Sequence, residues 1–300
     1  MTRGEFLKTA GSAAILAAAG DLFGSETAIG AKVDFAALQR EIDEVSPQDL
    51  TPYFAGDDSE GSPARKPALL RLDAAFDKVL NEVKATAVSD RPAVWLVYNM
   101  GVIVKTKEAC FSIDLMHRKA TEAAPLLDFA LITHSHGDHF TEAFYRAMND
   151  AGKTVISNFK DNYGTKNGGY TRATKTFKLK DVAIRTSLTD HNNYLVDFTT
   201  AFEIRAGEFT IYHTGDCSSL AKLNPTRRPD LWIVHPYCGM NVADGIRKLT
   251  PTLTAMAHLN ELGHARNRWR WSWSDGLKAK ARAEEVGGQA IVPVWGERIF

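Results

Sequence analysis

The chain has 300 residues, with 36 basic and 36 acidic side chains, so its formal net charge is zero. This balance excludes the strongly basic surface that proteins binding nucleic acid or anionic membranes present. The 44% hydrophobic content is typical of a globular protein. No apolar run reaches the roughly 18 residues that a membrane-spanning helix needs. We therefore expect no nucleic-acid partner and no integral membrane segment in the mature chain.

Residues 1–30 predict an export signal. A short charged start precedes a stretch of small apolar residues at 10–19, which is the layout of a secretory signal. The segment resembles a twin-arginine signal, because Arg3 and residues 6–8 match its Arg-Arg-x-Phe-Leu-Lys pattern, although Gly4 stands in place of the second arginine. We expect export to the periplasm by a degenerate twin-arginine-like or general secretory route. The alternative is a frayed N-terminal helix on a cytoplasmic protein.

The three cysteines are Cys110, Cys217 and Cys238. An odd and low count argues against a disulfide framework. We expect these residues to be small buried side chains.

Residues 31–90 predict a helical extension that packs on the rest of the chain. Residues 35–45 have helix-like spacing, and the Pro, Gly, Asp and Ser content of 51–66 indicates a loop. Between Leu69 and Val83, apolar residues recur at steps of three and four, which predicts an amphipathic helix with one buried stripe.

Residues 91–300 predict a second domain built from strands and helices. Helical patterns at 141–152, 241–249 and 274–288 fall between strand-like runs. The fold class is therefore α/β (α+β), with sheets covered by helices. The predicted strands are short apolar, β-branched runs at 93–98, 101–105, 109–114, 128–132, 154–157, 182–187, 200–206, 208–214, 230–235 and 289–295.

The stretch LITHSHGDHF places His134, His136, Asp138 and His139 directly after the apolar run 128–132. A single histidine is more often structural than a ligand, but imidazole and carboxylate together are what zinc, manganese and iron bind. In an extended backbone the first two histidines can point the same way, whereas the later pair can face a second point nearby. The stretch predicts a metal site; the alternative is a His-rich polar loop.

A site with two metals about 3.5–4 Å apart needs further ligands from other loops. His191, Asp216 and His258 each follow a strand-like run, so all three could reach the same edge of a sheet. His264 is a rival to His258, since both stand in HLNELGH. We favour His258 because it directly follows an apolar run.

The ordered set of these residues resembles the signature of the metallo-β-lactamase-fold hydrolases over roughly residues 92–298. The resemblance implies an αββα sandwich of two mixed sheets, with the site on loops at one edge and residues 31–90 outside the shared core. It also implies that seven side chains bind two metals: His134, His136 and His191 the first, Asp138, His139 and His258 the second, and Asp216 both.

Further residues are candidates for supporting roles. The second ring nitrogen of a metal-binding histidine needs a partner, and we expect Asp114, Thr133 and Asp190 to supply such partners. His235, Tyr98 and Asn99 are candidates for the pocket wall, and His264 for the pocket wall or a supporting contact. His117 and His213 are expected to be structural. Trp269, Trp271 and Trp273 could form an aromatic wall, but we favour packing.

The resemblance implies a hydrolase of small ester-type substrates, close to the lactonase and phosphodiesterase branch that includes ascorbate-6-phosphate lactonase. A metal pair lowers the pKa of a bound water from 15.7 to about 7, and the resulting hydroxide attacks a carbonyl or phosphoryl centre. We expect Asp216 to anchor the bridging position and Asp138 to orient the nucleophile or pass a proton to the leaving group. We expect two divalent ions, with zinc first and manganese or iron as alternatives.

Other functions on the same fold stay open. A di-iron oxidoreductase is disfavoured because such sites tend to carry a carboxylate in the middle of the signature, where Gly137 precedes Asp138 here, and because the chain lacks a flavin domain. A β-lactamase is disfavoured because no cysteine stands where the best-known zinc enzymes have one. A nuclease is disfavoured by the neutral charge and the predicted signal. A metal-free binding module is disfavoured by the complete ligand set.

Overall fold

The computed structural model describes residues 34–159, 174–192, 194–266 and 268–300. Of these, Phe35–Ile299 belong to one compact unit. The predicted export signal lies outside the described residues. No helix in the described part of the chain is both long and apolar enough to cross a bilayer.

The first sheet has five strands in the order β1-β2-β3-β4-β5. The pairs β1–β2 and β2–β3 are antiparallel, whereas β3–β4 and β4–β5 are parallel, so the sheet is mixed. Its strands are β1 (Ala93–Tyr98), β2 (Gly101–Lys105), β3 (Cys110–Ile113), β4 (Phe129–Leu131) and β5 (Thr154–Ile156).

The second sheet has seven strands in the order β12-β11-β10-β9-β8-β7-β6. Pairing is antiparallel from β6 to β9 and parallel from β9 to β12, so this sheet is mixed as well. Its strands are β6 (Thr176–Leu179), β7 (Val182–Thr189), β8 (Thr199–Ala206), β9 (Phe209–His213), β10 (Leu231–Val234), β11 (Leu253–Met256) and β12 (Ala290–Ile291).

Helices precede, separate and follow the strands. The hydroxyl of Thr141 caps one helix, accepting a hydrogen bond from the backbone N–H of Phe144 at 3.3 Å. The helices in the described part of the chain are α1 (Phe35–Asp43), α2 (Leu50–Phe54), α3 (Pro67–Ala85), α4 (Ala120–Ala123), α5 (Glu142–Asp150), α6 (Val242–Leu249) and α7 (Trp273–Glu285). Single 3₁₀ turns lie at Pro47–Asp49, Pro63–Arg65, Ala124–Leu126 and Leu220–Lys222.

Most strands of both sheets are buried, as is expected when two sheets pack face to face and helices cover their outer faces. Every residue of β1, β3, β4, β9, β10 and β11 is buried, so both faces of these strands are covered. The prediction of two mixed sheets with helices outside is confirmed. The edge strand β6 was not predicted, because its residues are exposed or half-buried and carry no continuous apolar run.

The last predicted strand, 289–295, is much shorter in the structure. Only Ala290 and Ile291 pair with a neighbouring strand. Pro293 has no N–H to donate to a ladder, which explains why pairing ends just before it.

The N-terminal helices pack on the sandwich. The indole N–H of Trp95 on β1 donates to Glu82 of α3 at 2.8 Å, and the ring of Phe35 on α1 meets Trp273 edge-on at 5.9 Å. The predicted buried stripe of α3 is part of the hydrophobic core. Its buried members are Leu69, Leu72, Phe76, Val79, Leu80 and Val83.

Candidate metal centre

The loops that follow four strands meet at one edge of the sandwich. His134 follows β4, His191 follows β7, Asp216 follows β9 and His258 follows β11. Because the strands end at the same edge, residues far apart in the chain come within reach of each other. The loop that begins at His134 supplies more donors than any of the other three.

The first group of donors consists of His134, His136 and His191. One nitrogen from each ring lies within 4.8 Å of the others. Phe198 packs against all three rings, at centroid distances of 5.5, 4.9 and 6.0 Å. Nothing in the sequence pattern indicated this aromatic contact.

The second group consists of Asp138, His139, Asp216 and His258, whose donor atoms again lie within 4.8 Å of one another. Nε2 of His258 lies 3.0 Å from Oδ2 of Asp138 and 3.3 Å from Oδ2 of Asp216. Nε2 of His139 lies 3.3 Å from a carboxylate oxygen of each aspartate. The structure thus brings His258, rather than its rival His264, into the group with Asp216.

Asp216 lies between the two groups. Besides its contacts within the second group, its Oδ2 lies 3.4 Å from Nε2 of His191 in the first. The preceding Gly215 has a φ of +51°, and a Cβ there would lie 2.8 Å from Cβ of Thr133. Only glycine tolerates both the positive φ and this close approach, which brings Asp216 into the site.

Three buried donor atoms in these groups make no hydrogen bond: Nε2 of His134, Nε2 of His139 and Oδ1 of Asp216. Buried polar atoms are nearly always paired, so three orphans converging at one edge require an explanation. Imidazole nitrogens and a carboxylate oxygen are ligands that a divalent cation takes together. The donor set therefore fits metal binding.

The charges in the second group also favour a bound cation, because its carboxylates raise the pKa values of the neighbouring histidines. Burial would lower the pKa of His139, but the carboxylates of Asp138 and Asp216 outweigh it and raise that pKa well above its usual value. Burial likewise opposes protonation of His258, yet the same carboxylates raise its pKa to about 10. The aspartates thus attract positive charge into the site, where a metal ion would replace the protons.

Two of the other histidines are held neutral, and Asp216 is held ionised. Burial lowers the pKa of His134 well below its ordinary value, and burial together with the nearby charge of His191 lowers that of His136. Burial would raise the pKa of Asp216, but His258 and His139 hold it well below its usual range. Neutral imidazole and ionised carboxylate are the forms that bind metals.

Asp114 and Thr133 orient two of the histidine rings, as the sequence led us to expect of them. Asp114 accepts hydrogen bonds from the Thr133 backbone N–H and hydroxyl, both at 2.7 Å, and from Nδ1 of His139 at 2.9 Å. Nδ1 of His134 lies 3.0 Å from the Thr133 hydroxyl oxygen. Because a carboxylate can only accept, Nδ1 of His139 carries the proton and Nε2 keeps its lone pair for the site.

Asp190 does not hold a histidine ring, contrary to the prediction. Its carboxylate binds Nζ of Lys222 at 2.5 Å and the backbone N–H of Asp197 at 3.0 Å. Its carbonyl accepts from the N–H of Ser218 at 2.7 Å. The lysine charge draws the carboxylate away from the rings, so Asp190 shapes the loops around the site instead.

His235 stacks on a ring of the site. Its ring lies 4.0 Å from that of His258 at an interplanar angle of 7°, and its Nδ1 accepts from the backbone N–H of Tyr237. His213 is buried, with Nε2 at 2.9 Å from the carbonyl oxygen of Met100. His235 thus packs against a ring of the site, whereas His213 contacts the backbone of Met100.

The backbone is strained at three residues of the site. Asn99, Asp114 and His258 have φ values of 56°, 46° and 57°, in the left-handed region that residues other than glycine avoid. The carbonyl of Asn99 accepts from the N–H of His258 at 3.1 Å, which ties two of them together. Such strain is concentrated at functional sites, because surrounding structure must enforce it.

Sequence reasoning gave no role to two residues beside the site, Cys238 and Glu261. Sγ of Cys238 lies within 4.8 Å of donor atoms of His191 and Asp216, and burial raises the pKa of this thiol. Glu261 is buried, accepts from the hydroxyl of Tyr98 at 3.1 Å and lies 2.6 Å from Nδ1 of His264. Neither spacing nor composition distinguishes these residues, since their partners are distant in the chain.

The tryptophans at 269, 271 and 273 do not share a face, because the last of them opens helix α7. Trp273 is buried, Trp271 stacks on Tyr237 at 4.4 Å, and Trp269 is 67% exposed. Two of the three therefore pack against the protein, as we favoured.

No family model and no curated protein matches this chain. Solved structures do match. Igni18, a novel metallo hydrolase from Ignicoccus hospitalis, is 19% identical with a TM-score of 0.55, over 69% of this chain and 97% of that one. The metallo-β-lactamase fold protein YhfI from Bacillus subtilis is 16% identical with a TM-score of 0.55, over 70% and 99%.

CmlA, a diiron β-hydroxylase from Streptomyces venezuelae, is 14% identical with a TM-score of 0.53, over 69% of this chain and 54% of that one. Identities this low bear on the fold and leave the chemistry to be argued from the residues themselves. The match to these structures agrees with the fold described above. This chain has the metallo-β-lactamase fold.

Proposed function

We propose that this protein is a dinuclear metal-dependent hydrolase of a small ester-type substrate, such as a lactone or a phosphodiester. The observation that carries the proposal is the pair of donor groups that meet at Asp216, with three buried donor atoms lacking a hydrogen bond. The first ion would take His134, His136 and His191; the second would take Asp138, His139 and His258; Asp216 would contact both. We propose zinc first, and manganese or iron also suit these donors.

Two divalent ions held there would make water nucleophilic at neutral pH and stabilise negative charge on the attacked group. The chain itself positions the reacting groups. Asp138 borders a cavity beside the site, and Nδ2 of Asn99 holds it through its carbonyl and carboxylate oxygens at 3.1 and 3.3 Å. From that position, Asp138 would orient the attacking water and pass a proton to the leaving-group oxygen.

The comparisons support the same class of function. Igni18 is described as a metallo hydrolase, and this chain spans nearly all of its length. A di-iron oxidoreductase is a second candidate, because CmlA shares the fold and the nitrogen and oxygen donors here also suit iron. This chain spans only about half of CmlA, so we place the hydrolase first.

The test combines metal analysis with a substrate screen. Purified protein is analysed for bound metals and assayed with carboxylic esters, lactones, phosphodiesters and β-lactams. We expect close to two metal ions per chain and hydrolysis of an ester-type substrate. Asp138→Ala should abolish hydrolysis and lower the metal content below two ions, whereas the exposed control Asp244→Asn should keep both. Iron with oxygen consumption would favour the second candidate, and β-lactam turnover alone would favour a β-lactamase. A metal-free protein that resists reloading would overturn both metal-dependent functions.

We also propose that the protein is exported to the periplasm, on the basis of the signal-like residues 1–30. Sequencing the N-terminus of the protein recovered from a periplasmic fraction tests this. We expect a new N-terminus close to residue 31. Recovery from the cytoplasm with residues 1–30 intact would contradict export.

A further inference from the structure

A cavity of about 570 Å³ adjoins the metal centre at Gly137 and Asp138. Its volume falls in the range of small-molecule sites. Other parts of the wall come from helix α2, from Leu72 of α3 and from the loop 261–264, whose Glu261 and His264 lie close to Asp138. The N-terminal helices therefore border the space that a substrate at Asp138 would occupy.

The wall on the helical side is mostly apolar, although Thr51, Tyr53 and His117 also line it. Leu50, Phe54, Leu72 and Met116 are its apolar members, and Leu262 faces them from the opposite loop. Such side chains offer no hydrogen bonds, so they favour a group that gains by leaving water. An alkyl or aryl substituent of the substrate meets this requirement.

The charges around the cavity disfavour an anionic substituent. No lysine or arginine is among the described residues that line it, whereas Asp138 and Glu261 bring carboxylates to its inner end. His117 is no counterion, because burial lowers the pKa of its ring to about 3 and its Nε2 contacts the hydroxyl of Tyr53 at 3.0 Å. A negative charge placed along this wall would have no cation to pair with.

A cation beside the lining residue Tyr53 is already paired with carboxylates. The guanidinium of Arg118 lies 4.9 Å from the ring centroid of Tyr53, and it binds carboxylates of Asp73 and Asp58 at 2.5 and 2.7 Å. These bonds neutralise its charge. The helical side of the cavity therefore offers no free positive charge to its contents, and the carboxylates of Asp138 and Glu261 lie at the inner end.

His264 offers a polar contact to the substrate at the inner end of the cavity. Nδ1 of His264 lies 2.6 Å from Glu261, so Nε2 is the ring nitrogen that remains for a ligand. His264 lines the cavity together with Asp138. A small number of polar contacts in a mostly apolar pocket fixes the orientation of a ligand, which is the usual arrangement of a small-molecule site.

Arg270 holds the two walls together. Its buried guanidinium donates to the carbonyls of Ile42 and Val45 in the N-terminal segment, at 3.3 and 2.6 Å. It also donates to the carbonyls of Leu262 and His264 in the opposite loop, at 2.7 and 2.8 Å. The cavity is thus formed before any ligand enters.

We infer, building on the proposed function, that the N-terminal helices bind an uncharged apolar substituent of the ester or lactone substrate. Leu50 and Phe54 of α2 are the residues that determine its length. Both lie at the wall facing the metal-bound end of the substrate, so a larger side chain there shortens the space available.

The test uses γ-lactams with alkyl chains of increasing length, which mimic a lactone without being readily hydrolysed. Their binding to the metal-loaded protein is measured by calorimetry. We expect Kd to fall about fourfold for each methylene until the cavity is filled. Phe54→Trp should end this gain at a shorter chain, whereas the matched control Leu70→Trp, an exposed position on α3, should leave the series unchanged.

A second series carries a carboxylate at the far end of the chain. We expect these lactams to bind at least tenfold more weakly than the uncharged ones of equal length. The inference would be overturned if Kd did not depend on chain length, or if Phe54→Trp left that dependence unchanged. Tighter binding of the carboxylate-bearing lactams would also overturn it.

The experiments distinguish failure of the proposed hydrolase function from failure of the cavity assignment. Chain-length-dependent binding without hydrolysis of any ester would overturn the hydrolase function and leave the cavity assignment standing. Hydrolysis of esters and lactones with no dependence of binding on chain length would overturn the cavity assignment alone.

Discussion

The strand-end loops and the N-terminal helices border the same cavity but contribute different properties to it. The loops supply nitrogen and oxygen donors, held in place by hydrogen bonds such as those of Asp114 and by strained backbone. The helices supply apolar surface, held in place by packing and by Arg270. Chemistry and selectivity are thus carried by separate segments, and a change in one should leave the other largely intact.

The largest effect is expected where the two donor groups meet. Asp216→Ala removes the carboxylate that contacts both groups, so we expect metal content to fall to one ion or none and hydrolysis to fall more than about 1000-fold. Lactam binding along the helical wall should keep its dependence on chain length. Elemental analysis and initial rates check the first part; two bound ions in this variant would contradict the bridging role.

Weakening the hydrogen bonds by which Arg270 joins the two walls should lower stability and leave the metal content unchanged. Arg270→Lys cannot reproduce the planar set of bonds to carbonyls on both sides, so we expect the free energy of unfolding to fall by about 3 kcal/mol. The exposed Arg247→Lys is the control. Urea unfolding measures the difference. Metal content should stay at the wild-type value, and a parallel loss of metal would show that the two regions are not independent.

Asp114→Asn weakens the support of the loops without removing a ligand. An amide accepts the proton of His139 less strongly than a carboxylate does, so we expect metal affinity to fall about 10- to 100-fold. Competition with a chromophoric chelator measures this change, with Asp244→Asn as the control. An affinity within twofold of wild type would show that the Asp114 contact does not tune the site.

The smallest effect concerns acid stability of the helical wall. Burial lowers the pKa of His117 from 6.5 to about 3, so the unfolded chain binds a proton that the folded chain refuses between these values. This stability is complete above the unfolded pKa and is lost as the pH falls below about 6.5.

Between pH 7 and pH 5 the wild type should therefore lose about 2 kcal/mol more than His117→Gln. Denaturant unfolding at both pH values checks this difference. Equal losses in the two proteins would mean that His117 is protonated in the folded state as well.

The metal centre was the part most accessible to prediction, because four of its donors lie within six positions of one loop and each later donor follows a strand. The fold followed from the apolar runs, whereas β6 has no such run and the last strand is cut short by Pro293. A feature can be predicted from local sequence when all the residues that identify it lie in one loop or one strand.

Features that depend on contacts between distant residues could not be predicted. Arg270 joins residues some 225 positions apart in the chain, and Asp190 is diverted from the rings by Lys222. Cys238 reaches His191 and Asp216 only through folding. The cavity could not be predicted either, because one wall comes from α2 and another from residues 261–264, which are distant in the chain.

The central claim is that one edge of the sandwich holds two metal ions. The most direct test is titration of Zn²⁺ into metal-free protein, followed by calorimetry and by elemental analysis after removal of free ion. We predict saturation at two equivalents for the wild type and for Asp244→Asn, and at fewer than two for His134→Ala combined with Asp138→Ala. Saturation of the wild type at one equivalent or none, or an unchanged stoichiometry in the double variant, would contradict the account.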